Sequence, residues 1–104
     1  MTEKLIRDGK VAVLYSPGYG AGWSTWSSNN SEAMVFCPEL AAAVLSGNKE
    51  LSRKIAEDKF PEACQGGVHQ LAVEWIESGI RFSIYEFDGS ECVHILGRDI
   101  GYLA

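Results

Sequence analysis

Two groups of residues have the types and spacing to do chemistry. The first is the run from Ser16 to Ser28, SPGYGAGWSTWSS, with glycines at 18, 20 and 22 followed by Trp23 and Trp26 among hydroxyls. Glycines after a strand can turn backbone N–H groups toward an anion. The spacing is not G-x-G-x-x-G, however, the Walker lysine is missing, and no Lys or Arg occurs from Val11 to Asn48. A phosphate here would rely on amides, hydroxyls and an arginine delivered by the fold. Tyr19, Trp23 and Trp26 also alternate with Ser24, Thr25, Ser27, Ser28, Asn29 and Asn30. Flat apolar faces beside adaptable hydrogen-bonding groups are what recognition surfaces use. The competing structural use is close packing of backbone against a buried tryptophan. The residues expected to bind are Tyr19, Gly20, Gly22, Trp23, Ser24, Thr25 and Trp26.

The second group is nucleophiles, soft ligands and carboxylates. Cys37 sits where a helix should begin, and a helix N-terminus favours thiolate. A cysteine hydrolase also needs a base, and only His69 and His94 are available, on segments not local to Cys37. Cys92 and His94 share one strand face at i, i+2, with Cys64 and His69 upstream, but no paired C-x-x-C spacing marks a metal site. Glu74, Glu86, Asp88 and Glu91 gather near turns. Glycosidase chemistry would need two of them flanking a cleft, and a short chain has little room for one. They read as a solvated acidic face. No catalytic set, metal or cofactor is expected.

These residues must be positioned by recognisable elements. KVAVLYS, residues 10–16, is a strand with Val11, Val13 and Tyr15 on one face and Ala12 and Leu14 on the other, apolar on both and so central in its sheet. From Ser16 to Glu32 neither period is present, and structureless segments this long are usually functional or disordered. Ala33 to Phe36 reads as a short strand. Cys37 as N-cap, Pro38 at N1, Glu39 in the first turn and Gly47 as the left-handed stop punctuate a helix. Asn48 caps a second one ending at Pro61, with Leu51 and Ile55 on its inner face. A meander of three antiparallel strands follows. Leu71, Val73 and Trp75 share one side, as do Ile80, Phe82 and Ile84, and Asp88-Gly89 makes a tight hairpin that brings Val93 and Ile95 inward. The tail is expected to add a short edge contact. The expected class is α+β: one domain over residues 1–104, a mostly antiparallel sheet of four to five strands with two helices on one face.

Composition narrows the function classes. The chain has 104 residues, 46% hydrophobic and 22% charged, which is globular rather than disordered. Its net charge is −5, unevenly spread: residues 1–67 hold 7 basic and 8 acidic groups, residues 68–104 hold 2 basic and 6 acidic ones. An acidic surface disfavours direct contact with nucleic acid or anionic lipid and suits a basic partner. No apolar run reaches the length of a membrane span, and the charged MTEKLIRDGK start is no secretory signal. Three widely spaced cysteines form no disulfide framework. The expected location is the cytoplasm.

VAVLYSPGYGAGWSTW, a CPEL helix start and an EFDGSE hairpin together resemble small uncharacterised proteins of bacteriophages and prophages, over nearly the whole chain and most specifically at residues 11–26. The resemblance implies a small protein in the cytoplasm of an infected or lysogenic bacterium. Such proteins often act by binding a host enzyme, a defence complex or a signalling nucleotide. The expectation is therefore a non-enzymatic binding module, directed at a host protein through the 16–32 loop. The alternative is a nucleotide-sequestering protein, whose pocket between subunits of a homo-oligomer would borrow Arg81 or Arg98. Below these stand a phage structural or assembly factor and a Cys37 enzyme.

Overall fold

A computed structural model describes residues 3–18, 22–26, 31–61, 70–87, 90–96 and 102–104. Its centre is β2 (Lys10–Tyr15), preceded by β1 (Ile6–Arg7). The two form a hairpin because Asp8 and Gly9 both adopt positive φ, 53° and 76°, as a type I′ turn demands. On its other side β2 pairs antiparallel with β3 (Ala72–Glu77), from Lys10↔Glu77 to Tyr15↔Ala72. The two-sided apolar pattern of β2 has its expected consequence. Ala12 and Leu14 enter one core cluster, Val11 and Val13 another, and all four are fully buried.

The first cluster lies under α2 (Pro38–Ser46) and α3 (Lys49–Lys59), which share one face of this sheet as expected. Their punctuation is as read: Cys37 at the N-cap, Gly47 at φ 78°, and the Asn48 side chain accepting from the Leu51 amide. The inner stripe of α3 is turned by one residue from expectation. Ser52 and Ala56 are buried and Ile55 is half-buried, whereas Leu51 is 43% exposed. The small side chains at 52 and 56 let α3 lie close to its neighbours.

The second cluster is closed by a separate sheet, not by an extension of the first. β4 (Arg81–Phe87) pairs antiparallel with β5 (Ser90–Leu96) and with β6 (Tyr102–Leu103), the expected edge contact of the tail. The architecture is thus α+β, the described residues forming six strands in two three-stranded sheets. The expected single meander fails at Ser78-Gly79. These residues connect β3 to β4 in a turn closed by the Ile80 amide on Glu77 O, but their own amides bond to Gly9 O and Ala104 O, Gly79 takes φ 90°, and the two strands do not pair. The chain turns a corner into a second layer. There Phe82 meets Phe36 edge-on and Tyr102 at a tilt, at centroid distances of 5.9 and 5.5 Å.

Residues 33–36 are a correction. They belong to a helix, α1 (Ser31–Phe36), not a strand. Met34 packs in the first cluster, Val35 and Phe36 in the second. Consecutive apolar residues can reach both cores this way because a helix fans neighbouring side chains about 100° apart. Among the described residues no helix is long and apolar enough to cross a membrane.

Candidate functional site

The Gly/Trp loop leaves the end of β2, and its described residues Ser16, Trp23 and Thr25 are gathered around one side chain, Glu91. The second residue of β5, Glu91 is 1% exposed. Its Oε1 accepts from the Ser16 amide at 2.8 Å, and its Oε2 from the amides of Trp23 at 2.7 Å and Thr25 at 3.1 Å. The Thr25 hydroxyl donates to the same Oε2 at 2.5 Å. The Glu91 amide in turn donates to Ser16 O at 2.7 Å, and the Ser90 hydroxyl to Pro17 O at 2.6 Å. Among the described residues no lysine or arginine pairs with this carboxylate. Taking an ion out of water costs several kcal/mol, and charge-assisted hydrogen bonds of about 1.5–3 kcal/mol each offset that. Trp23 and Thr25 lie at the start of the 3₁₀ turn Ser24–Trp26, whose first amides have no partner within the turn. Glu91 supplies it.

This overturns the solvated acidic face for Glu91. The signal was available in the strand period: Glu91 has the parity of Val93 and Ile95, both read as inward. Val93 does pack on the core, but Ile95 is 61% exposed, so the inward face of β5 ends before it.

Trp23 is also corrected. It is fully buried, edge-on to Phe60 at 5.9 Å, and its Nε1 donates to Met34 O at 2.9 Å. That carbonyl is near the end of α1, and four residues on comes Pro38, which has no N–H to give. The indole replaces the missing amide. Trp23 is therefore a core residue and no accessible anchor. Gly22 and Ser24 are buried beside it, and Thr25 is the exposed member of the group. A Cβ at Gly18 would run into the Gln70 side-chain amide, which would have to move aside. Tyr19 and Gly20 lie outside the described residues, as does the side chain of Trp26.

The structure does not join Cys37 to His94. Cys37 is buried in the helix-side cluster, while His94 stands on the outward face of β5. Instead Cys92 Sγ lies 3.1 Å from His94 Nε2, and Tyr85 stacks on the imidazole at 4.5 Å. Cys64 and His69 lie outside the described residues. Among the described residues no three His, Cys, Asp or Glu side chains gather to hold a metal. Tyr15 is near Cys92: burial raises its phenol above 10.0, helped by the charges of Glu74 and Cys92.

The outward face of β4 carries two large apolar side chains. Arg81, Ser83, Tyr85 and Phe87 alternate away from the core, with Tyr85 52% and Phe87 77% exposed. Phe87 is paired with Ser90, whose hydroxyl holds Pro17, so the hairpin end and the loop's entry are contiguous. No family model, curated protein or solved structure matches the chain.

Proposed function

We propose that the chain is a non-enzymatic binding module that engages a protein through the β4–β5 hairpin end and the adjoining part of the 16–32 loop. The observation that carries this is the exposure of Tyr85 and Phe87 side by side on one sheet face. Rigid aromatic side chains give large contact area at low entropic cost. The surface combines them with Pro17 and the exposed Thr25, and the Glu91 hydrogen bonds hold the loop in place before binding, which lowers the ordering cost of association. The partner that fits is a basic protein surface with an apolar pocket. Residues 68–104 carry six acidic groups against two basic ones, and only Glu91 of those described is withdrawn from solvent. The resemblance to phage and prophage proteins supports a host protein or defence complex as that partner.

No described observation favours the nucleotide reading. The amides of Ser16, Trp23 and Thr25 hold the chain's own carboxylate, and residues 19–21 of the glycine run lie outside the described residues.

The test places a photo-crosslinking phenylalanine analogue at position 87 of the protein expressed in bacterial cells. A single dominant adduct with another protein, lost when Tyr85→Ser is added to a chain that still folds, is the expected result. Adducts only between copies of this chain, or an adduct indifferent to Tyr85→Ser, would overturn the proposal.

A further inference from the structure

Cys92 and His94 are successive outward residues of β5, so the strand's period alone places them on one face. Their separation of 3.1 Å is hydrogen-bonding contact for a sulfur, and both residues are exposed. In the Nδ1–H tautomer of the imidazole, Nε2 accepts the thiol proton. Two cross-strand neighbours complete the cluster. Tyr85 is opposite Cys92, and its ring lies against the imidazole at 34° between planes. Ser83 is opposite His94, and its Oγ has no hydrogen-bond partner. The other free cysteine among the described residues, Cys37, is buried, and no described histidine lies against it.

We infer that Cys92 is a nucleophilic modification site, with His94 as its general base and Tyr85 as the positioning residue, for neutral soft carbon electrophiles. As Sγ attacks an electrophilic carbon, the thiol proton passes to Nε2 and the S–C bond forms while the leaving group departs with its electron pair. The imidazolium then returns its proton to water. A neutral reagent is specified because the chain is acidic overall and repels anions. Beside the pair in the same hairpin stand Glu91, withdrawn into its own hydrogen bonds, and the exposed Glu86, and the Tyr15 phenol also feels the charge of Cys92. The inference is independent of the binding proposal, because it is read as a covalent mass on one residue and requires no partner.

Iodoacetamide is the probe: carbon bonds to Sγ, the C–I bond breaks and iodide leaves. Peptide-resolved mass spectrometry follows each cysteine separately in the full chain. The native wild-type protein should alkylate Cys92 about tenfold or more faster than the urea-unfolded chain, and about tenfold faster than folded His94→Gln, since a positioned base is worth at least that much. Tyr85→Phe should keep the rate and Tyr85→Ala should lower it, a pattern that loss of the hydroxyl alone would not produce. A native rate within about twofold of the unfolded chain, or of folded His94→Gln, would overturn the assignment. Should His94→Gln not fold, the native-to-unfolded ratio decides.

Discussion

One carboxylate organises the loop most suggestive of function. Glu91→Gln replaces an acceptor of four hydrogen bonds with an amide, one end of which donates into donors. It should destabilise the fold by about 2–4 kcal/mol, read from the urea midpoint at unchanged slope. Gly18→Ala forces a methyl group against the Gln70 amide. It should cost about 1 kcal/mol in the wild type and less in a Gln70→Ala background, and a double-mutant cycle showing no coupling would contradict the close approach. Tyr15 has a pH consequence. Its phenol is raised in the folded state, so the folded chain holds that proton where the unfolded chain has lost it. Its contribution is therefore fully present below pH 10.0 and is lost as pH rises through the folded value. Stability measured through that alkaline window should fall less steeply in Tyr15→Phe.

At the scale of elements, the helices are held by local chemistry and the sheets by distant chain. Gly47 at φ 78° and the Asn48 side chain separate α2 from α3 within two residues. Gly47→Ala and Asn48→Ala should each cost about 1 kcal/mol, seen as a lower Tm, whereas the exposed Lys59–Glu39 pair joining the same helices should contribute little. The 3₁₀ turn and α1 depend on partners from elsewhere: Glu91 for the first and the Trp23 indole for the second. Neither end is closed by its own sequence, since Pro38 removes the amide that would have bonded Met34 O.

In the whole molecule, β2 is shared by two cores. One is the helix layer against the first sheet, the other is the first sheet against the second, and α1 spans both. Trp23 belongs to the helix side yet reaches α1 through its indole N–H. Trp23→Ala should cost about 3–5 kcal/mol and unfold the chain at lower urea, while Trp23→Phe keeps most of the volume and loses the bond to Met34 O. On the outer face of the second sheet the Ser83 hydroxyl is buried, and the exposed part lies toward Phe87. That face carries Tyr85 and Phe87, with the Cys92–His94 pair beside them, and the proposed binding and alkylation chemistry both belong to it.

The sequence by itself determined the parts governed by short range. Helix boundaries follow from Pro38, Gly47 and Asn48, because caps act over one turn. The two faces of β2 and the inward set of β4 follow from alternation. The α+β class follows from their order, and the Cys92–His94 adjacency from a spacing of two. Tertiary structure alone decided what depends on distant partners. Whether Trp23 faced solvent or core turned on Phe60 and Met34 O, 37 and 11 residues away in sequence. Glu91 was spared from solvent by amides 66 to 75 residues away, and a local pattern holds no record of such donors. Ser78-Gly79 makes its own turn bond, from the Ile80 amide to Glu77 O, yet β3 pairs with β2 and β4 with β5 and β6, and bonds to Gly9 O and Ala104 O hold the turn as the corner between two sheets.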